Sequence, residues 1–339
     1  MRKGSRDLAS RTTLRLGGPA GRLSIATVTD EIPQMVRAAG PFLVLAGGSN
    51  VVVADDGYPG TVVLLRTRGC TVTREGDGVR LRVAAGEPWD EVVARCVAEG
   101  WSGIECLSGI PGSAGATPIQ NVGAYGQEIA ETIEAVRVYD RERDADTVLA
   151  PADCGFGYRT SRFKHADRWI VLEVVLRLAV SDRSAPIRYP ELARALGVAV
   201  GDRVPLDETR AAVLKLRAGK GMVLDPDDPD TFSVGSFFTN PVLPAAGFGH
   251  LRAAGAPAWP NPDGTVKTSA AWLIERAGFA KGYGRDGVAI STKHTLALTN
   301  RGTGTTAALL DLAREIRAGV AQRFGVTLVP EPVLVNCAL

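Results

Sequence analysis

The sequence has few cysteines and histidines, and no pattern that would join them into a site. Its five cysteines are odd in number and lack Cys-x-x-Cys spacing, and its three histidines stand far apart. A disulfide framework, a Cys/His zinc site or another metal centre is therefore not expected. We interpret the cysteines as small packing residues in a reducing compartment.

The sequence also lacks an excess of charge and a long apolar run. With 39 Lys and Arg against 37 Asp and Glu, the formal net charge is only +2, which gives no basis for a nucleic-acid or anionic-membrane surface. Residues 1–7 are basic, but no apolar stretch follows them, and no stretch elsewhere is long enough to span a bilayer. We expect a cytoplasmic protein with no nucleic-acid or membrane partner.

The length of 339 residues exceeds what one hydrophobic core usually supports, so two or three domains are expected. Helices and strands alternate irregularly over residues 30–178, which indicates a mixed α/β start. Helices are predicted at 30–39, 88–98, 207–217 and 305–324, and strands at 42–46, 61–66, 70–74, 79–84, 135–140, 170–178, 295–299 and 327–335. Gly76-Asp77-Gly78 predicts a hairpin turn, and we place a domain boundary between Gly201 and Pro205.

Two segments match the dinucleotide fingerprint Gly-x-Gly-x-x-Gly/Ala, but neither predicts a nucleotide site. Residues 282–287 follow a predicted helix and precede a strand, the reverse of the order that aims a helix N-terminus at a pyrophosphate. Residues 302–307 have the right local order, but only one strand remains after their helix. We interpret this second segment as a helix start capped by a threonine.

Two glycine-rich loops are stronger signals. In the first, a strand runs into Gly47-Gly48-Ser49-Asn50, a turn whose backbone N–H groups can form a nest for phosphate oxygens. The second covers residues 110–126, where small side chains allow backbone to pack on a large flat ligand and Gln120 and Asn121 offer amide groups. Neither is a Rossmann or Walker loop, and together they indicate an extended cofactor.

The pair of loops resembles the flavin-binding fold shared by vanillyl-alcohol-oxidase-like proteins and the UDP-N-acetylenolpyruvoylglucosamine reductases. Further motifs are similar to those of the reductases, and the resemblance runs from about Thr12 to Val335. These motifs are Gly157-Tyr158-Arg159-Thr160-Ser161-Arg162-Phe163-Lys164, Arg188-Tyr189-Pro190-Glu191-Leu192, Val234-Gly235-Ser236-Phe237-Phe238-Thr239-Asn240-Pro241, Ser269-Ala270-Ala271-Trp272-Leu273-Ile274-Glu275 and Leu328-Val329-Pro330-Glu331.

The resemblance implies an α+β fold with an FAD-binding part of the vanillyl-alcohol-oxidase/PCMH type, built from two α/β subdomains, and a C-terminal α+β substrate-binding domain. The implied ranges are 1–67 and 68–204 for the subdomains and 205–339 for the substrate domain, whose last strand carries Glu331 back to the active site. FAD and NADPH are the implied cofactors, and UDP-N-acetylglucosamine enolpyruvate is the implied small-molecule substrate. We expect a monomer.

The implied reaction transfers a hydride from NADPH through the flavin to the enolpyruvyl β-carbon, after which the α-carbon accepts a proton. Arg159 matches the cation beside the substrate carboxylate, since a planar guanidinium can hold a carboxylate through two bonds and stabilise the charge that builds there. Ser236 matches the proton donor, because a carbanion or enolate is a strong enough base to take a hydroxyl proton. Glu331 matches the carboxylate that orients or polarises the enol intermediate.

Other matched positions imply ligand contacts. Lys220 and Arg217 offer charge to a diphosphate, and Tyr189 matches a loop tyrosine that closes over the UDP part, with a buried core tyrosine as the alternative reading of its sequence. The flavin candidates are Gly47, Gly48, Ser49, Asn50, Ile110, Pro111, Gly112, Ala116, Ile119, Gln120, Asn121, Gly123 and Arg217. The substrate candidates are Tyr125, Tyr158, Tyr189, Lys220 and Asn240.

Two positions depart from the family pattern, and two other functions stay open. Arg276 stands where relatives often have glutamine, and Pro332 where many have valine. One alternative is an FAD-linked oxidase of the same fold that acts on an alcohol or hydroxy acid, and the other is a non-catalytic nucleotide-sugar or flavin-binding module. Several such oxidases tether flavin through histidine, but neither glycine-rich loop contains one and His165 is the nearest, which favours non-covalent FAD.

Overall fold

The computed structural model describes residues 6–339, so the first five residues of the basic N-terminal segment lie outside the described range. The described chain divides into two compact units. The first comprises Arg6, Ala20–Gly48 and Pro59–Val223, and the second comprises Asp7–Pro19, Ser49–Tyr58 and Leu224–Leu339. The predicted boundary between Gly201 and Pro205 falls inside the first unit, and the division at 67 and 204 stays a prediction.

Residues 6–339 form seven α-helices and twenty strands. The helices are α1 (Ile32–Arg37), α2 (Trp89–Ala98), α3 (Pro190–Leu196), α4 (Leu206–Gly219), α5 (Gly249–Ala253), α6 (Ala270–Arg276) and α7 (Thr306–Phe324). The strands are β1 (Ala20–Ala26), β2 (Phe42–Leu45), β3 (Val51–Val53), β4 (Tyr58–Leu65), β5 (Cys70–Glu75), β6 (Gly78–Ala84), β7 (Trp101–Ser102), β8 (Gly123–Ala124), β9 (Gln127–Glu128), β10 (Ile133–Asp140), β11 (Ala145–Leu149), β12 (Trp169–Val180), β13 (Ser233–Ser236), β14 (Val242–Pro244), β15 (Trp259–Pro260), β16 (Thr265–Lys267), β17 (Gly284–Arg285), β18 (Val288–Ile290), β19 (Ala297–Asn300) and β20 (Val333–Val335).

The main sheet of the first unit is antiparallel, with strand order β11-β10-β12-β6-β5, and β7 pairs with the end of β12. The central strand β12 buries nearly every side chain between Ile170 and Leu176, as a strand covered on both faces must. The predicted hairpin is confirmed: β5 and β6 are joined at Gly76 and Asp77, and Gly76 adopts φ +62° in the left-handed region that glycine tolerates.

A smaller sheet and the four helices α1 to α4 complete the first unit. Strands β1, β4 and β2 form this sheet in that order, with β2 and β4 parallel. Helix α2 packs through Trp89, Val93 and Cys96 into the same core as the main sheet. Helices α3 and α4 pack on each other over a separate small cluster that includes Leu192 and Val213.

The second unit is built around α7 and the sheet β13-β19-β18-β17. The Thr305 hydroxyl accepts the N–H of Ala308 (3.1 Å), and Gly325 ends the helix at φ +66°, so the predicted threonine-capped helix start is confirmed. The helix buries the predicted apolar stripe, Leu309, Leu312, Ile316, Val320 and Phe324.

The predicted last strand is only partly right. Strand β20 covers Val333–Val335 and pairs in parallel with β3, whereas residues 327–332 are not in a strand. Pro330 and Pro332 have no backbone N–H to continue a ladder, which limits the strand to the residues that follow them.

The five cysteines carry free thiols. Burial raises the pKa of Cys96 to about 12 and of Cys154 to about 11, and it also raises the pKa of Cys70, Cys106 and Cys337. Within residues 6–339, no helix has the length and apolar character needed to cross a membrane.

Candidate active site

The second glycine-rich loop is fastened to the N-terminal end of α2. The backbone N–H of Trp89 donates to the Gly112 carbonyl (3.0 Å), and the Trp89 indole N–H donates to the Leu107 carbonyl (3.3 Å). Trp89 is only 1% exposed. Both donors belong to Trp89, whose ring is buried and cannot move easily. The two hydrogen bonds therefore fix the conformation of the chain at the start of the loop.

The two glycine-rich loops approach each other at a pair of glycines. A Cβ atom on Gly47 would lie 2.5 Å from the Cα atom of Gly112, so a larger residue at position 47 would push the loops apart. Gly48 follows with φ +63°. The next two residues belong to the second unit, where the Asn50 carbonyl accepts the N–H of Val333 (3.0 Å).

An ion pair beneath the second loop connects it to α4. Asp90 accepts two hydrogen bonds from the Arg210 guanidinium (2.7 and 2.8 Å) and one from the Gly109 N–H (2.6 Å), next to the first residue of the loop. Burial acts to raise the pKa of Asp90, but the bonds from Arg210 and Gly109 outweigh it and hold this pKa below its ordinary value. The carboxylate therefore stays charged and joins α2, α4 and the loop.

Asn121 lies at the centre of the second loop in a left-handed conformation, φ +46°. Its amide NH₂ donates to the Glu128 carboxylate (2.8 Å) and to the Gly157 carbonyl (3.1 Å), and its side-chain oxygen accepts the Ala130 N–H (3.1 Å). Both amide hydrogens are thus committed to shaping the loop, so the side chain has no donor left for a cofactor.

Arg159 is attached to the same loop. Its guanidinium donates to the carbonyl groups of Gly123 (2.8 Å) and Asn121 (3.4 Å), and its own carbonyl accepts the Lys164 ammonium (3.1 Å). Arg159 has φ +53°, an unfavourable conformation for a residue with a side chain. Strained residues held by their surroundings concentrate at functional sites, and this one presents a fixed cation.

A cluster of ring and charged side chains forms where the second loop faces α3 and the end of α4. The rings of Tyr125 and Tyr189 meet edge to face with centroids 5.6 Å apart, and the Lys220 ammonium lies 5.6 Å from the Tyr125 centroid. Lys220 also donates to Glu191 of α3 (2.7 Å). Tyr189 is 44% exposed, so the alternative of a buried core tyrosine is wrong.

Arg217 lies beside this cluster on α4. Its Nη2 donates to the Met222 carbonyl (2.9 Å), and burial lowers the pKa of its guanidinium. Burial also raises the pKa of Tyr125 to about 12, an effect that the positive charge of Arg217 opposes.

In the second unit, Ser236 and Glu331 lie on paired segments. The Glu331 N–H donates to the carbonyl of Phe237, the residue after Ser236 (2.9 Å), and Phe238 bridges to Pro330. Ser236 ends β13 after Gly235, whose φ of +75° requires glycine, and the pairing register of β13 shifts there. The structure therefore brings the predicted proton donor and the predicted carboxylate onto neighbouring backbone.

The two departures from the family pattern and the predicted substrate residue Asn240 are also placed in the second unit. Pro332 leaves the local pairing intact, since the N–H groups on both sides of it are bonded. The Asn240 side-chain oxygen accepts the Ala270 N–H at the start of α6 (2.9 Å), a structural contact that the sequence did not predict. Arg276 lies over the Trp272 ring, with its guanidinium carbon 5.8 Å from the ring centroid.

The loops of the first unit fit an extended ligand with polar edges. Two buried polar atoms beside the second loop, Ser113 Oγ and Arg217 Nε, have no hydrogen-bond partner within the described chain. Buried polar atoms are nearly always bonded. Arg11 Nε and Trp101 Nε1 also lack a partner among the described residues, so it is the position of Ser113 and Arg217 at the loop that makes them available to a ligand. Over residues 6–339, no group of three or more His, Cys, Asp or Glu side chains is arranged to hold a metal ion.

Four of the contributing residues, Asp90, Glu128, Glu191 and Arg210, are absent from the sequence-based candidates. Asp90 pairs with Arg210 and Glu191 with Lys220, 120 and 29 residues away, whereas Glu128 bonds Asn121 across a turn of the loop. A carboxylate or guanidinium carries no signal in the sequence of which partner it will meet.

Two family models match separate parts of the chain. Residues 23–143 match a model described as FAD binding domain, and residues 227–335 match the C-terminal domain of UDP-N-acetylenolpyruvoylglucosamine reductase. The first match lies over both glycine-rich loops, and the second includes Ser236 and Glu331.

Curated relatives with the name of that reductase align with the chain over nearly their whole length. The chain is 64% identical to the UDP-N-acetylenolpyruvoylglucosamine reductase of Salinispora arenicola, over 98% of this chain and 95% of the relative. It is 59% identical to that of Thermobifida fusca, over 98% and 97% of the two chains. Among solved structures, the reductase of Thermus caldophilus covers 97% of each chain with a TM-score of 0.67 and 27% identity. The predicted fold class, an FAD-binding part followed by a substrate-binding domain, is confirmed.

Proposed function

Because the chain belongs to the UDP-N-acetylenolpyruvoylglucosamine reductase family, we propose that it reduces UDP-N-acetylglucosamine enolpyruvate to UDP-N-acetylmuramate, with FAD as cofactor and NADPH as reductant. NADPH gives a hydride and solvent gives a proton, so the enolpyruvyl double bond becomes a single bond and NADP⁺ is released. The reaction supplies a precursor of peptidoglycan. The main structural support for this proposal is the position of the Arg159 guanidinium, which is bonded to a loop of the FAD-binding domain.

We assign FAD to Gly47, Gly48, Ser49 and Asn50 of the first loop, to the second loop and to Arg217. Held there, FAD would supply hydride-transfer chemistry between NADPH and the enolpyruvyl β-carbon. The support for this assignment is the close approach of Gly47 to Gly112 and the two polar atoms without a partner. The second-loop residues we assign are Ile110, Pro111, Gly112, Ala116, Ile119, Gln120, Asn121 and Gly123.

Arg159 holds the substrate carboxylate in this proposal. Its bonds to the Gly123 and Asn121 carbonyls orient the guanidinium plane before substrate arrives, so little reorganisation is needed when negative charge builds on the substrate. Tyr158, whose ring lies 5.3 Å from the Arg159 guanidinium carbon, borders the same position.

Ser236 donates the proton to the α-carbon, and Glu331 orients the enol intermediate. The hydrogen bond from the Glu331 N–H to the Phe237 carbonyl supports these roles, because it holds the two segments together and positioned catalytic groups need a fixed backbone. Asn240 serves the substrate through its amide, while its oxygen caps α6.

The UDP part binds at the cluster of Tyr125, Tyr189 and Lys220, where a cation and two aromatic rings suit a nucleoside diphosphate. We further propose that the protein is a cytoplasmic monomer. UDP-activated sugars and NADPH are cytoplasmic metabolites, and the thiols are free, as expected in a reducing compartment.

The absorbance spectrum of the purified protein tests the proposal. Anaerobic NADPH should bleach the visible flavin bands, and the enolpyruvyl substrate should then restore them, since each half-reaction moves one hydride. A flavin that resists NADPH, or that O₂ restores rapidly after reduction by a hydroxy acid, would instead identify an oxidase. A protein that binds UDP-sugar without turnover would be a binding module.

FAD should be bound without a covalent link, because the two glycine-rich loops contain no histidine or cysteine. Acid precipitation of the protein should release the flavin into the supernatant, where its fluorescence measures it. Flavin that stays in the washed pellet would contradict this expectation.

A further inference from the structure

The proposed diphosphate cation, Lys220, already has an anionic partner within the chain. Its ammonium donates to Glu191 Oε2 at 2.7 Å, and the two side chains are 33% and 31% exposed. The carboxylate therefore takes up a hydrogen-bond donor of the ammonium that a bound diphosphate would need.

The two members of this pair stand on helices of different length. Lys220 follows the fourteen-residue helix α4, which the Arg210–Asp90 pair ties to α2. Glu191 lies in the first turn of the seven-residue helix α3, and neither helix has a side-chain bond at its N-cap. The acidic partner is thus on the first turn of the shorter helix, which has fewer internal hydrogen bonds to hold it.

A carboxylate and a diphosphate cannot both stay close to one ammonium without repelling each other. A partly exposed ion pair is worth little, so a diphosphate can displace Glu191 at small cost. Tyr189 precedes Pro190 and Glu191 directly, so release of the carboxylate leaves the tyrosine loop free to adjust to the ligand.

We infer that Glu191 is a positioning residue that holds Lys220 as an internal counter-ion and is exchanged for the substrate diphosphate. The inference rests on the role proposed above for Lys220. Glu191 keeps the ammonium in place in the absence of substrate, and it lowers the affinity for UDP ligands by competing with them.

The variant Glu191→Gln tests the inference, because it keeps the size of the side chain and removes its charge. Calorimetry with UDP, and steady-state kinetics with the enolpyruvyl substrate, should show Kd and KM lowered by about two- to fivefold, with no matching rise in kcat. The gain in affinity should shrink between low salt and about 0.5 M salt, because salt screens the charge. If Glu191 had only a structural role, Glu191→Gln would instead weaken the binding of UDP.

Glu131→Gln is the matched control. Glu131 pairs with Arg188, the residue before Tyr189, at 2.9 Å, and it makes no bond to Lys220. This variant should leave the Kd for UDP unchanged. An unchanged or raised Kd in Glu191→Gln would overturn the inference.

The variant Lys220→Ala distinguishes the proposed role of Lys220 from the proposed role of Glu191. If the variant weakens UDP binding while Glu191→Gln does not strengthen it, the diphosphate role of Lys220 stands and the counter-ion role of Glu191 is wrong. If Lys220→Ala leaves UDP binding unchanged, the assignment of Lys220 itself is wrong.

Discussion

In Ser236→Ala, reoxidation of the reduced enzyme by the enolpyruvyl substrate should slow by about 10²–10⁴-fold, the usual contribution of a well-placed general acid. Reduction of the enzyme by NADPH should stay near normal, because the hydroxyl has no part in that step. Stopped-flow absorbance measures the two half-reactions separately. Ser236→Cys should recover part of the lost rate, since a thiol can deliver a proton from nearly the same position.

Ser233→Ala is the control for loosened structure. The Ser233 hydroxyl accepts the Gly235 N–H (3.2 Å) on the same strand, so its removal disturbs the turn but leaves the Ser236 hydroxyl in place. We expect a small effect that is similar in both half-reactions. Equal slowing of both half-reactions in Ser236→Ala would show that Ser236 is a packing residue and not the proton donor.

Arg159→Lys should slow reoxidation by the enolpyruvyl substrate by about 10²–10³-fold, the cost of removing one oriented donor from a site of developing charge. Lysine keeps the charge but loses the planar pair of donors, including those that now reach the Gly123 and Asn121 carbonyls. Stopped-flow absorbance is again the measurement, and reduction by NADPH should change much less.

Arg162→Lys is the matched control for Arg159→Lys. Arg162 lies three residues further along the same segment and is exposed, with its guanidinium over the Trp169 ring at 5.1 Å. We expect nearly normal rates in both half-reactions. A rate near normal in Arg159→Lys would mean that charge alone suffices and that the geometry of the guanidinium contributes little.

Features that depend on local spacing were predictable from the sequence. The apolar stripe and the threonine cap of α7 are set by residues three or four apart, and the turn at Gly76 is set by a run of three. The long final strand was not predicted correctly, because β-branched residues suggested a continuous strand where Pro330 and Pro332 interrupt the pairing.

The shape of the candidate site depends on pairs that are distant in the chain. Arg210 reaches Asp90 across 120 residues, and Arg159 reaches Gly123 across 36. The motif Gly157-Tyr158-Arg159 indicates that the arginine matters, but it does not indicate that loop carbonyls hold the guanidinium or that Arg159 has positive φ. Folding alone brings such partners together, which is why the sequence could suggest the residues without their geometry.

The raised pKa values of the thiols determine how readily the protein reacts with oxidants and electrophiles. Cys96 and Cys154 remain protonated at neutral pH, since their pKa values are about 12 and 11, and the other three thiols are shifted in the same direction. The thiolate is the form that attacks peroxides and electrophilic drugs, and it is nearly absent here. A reactive group aimed at cysteine would therefore find no activated sulfur in this protein, so an inhibitor has to bind without a covalent bond to cysteine.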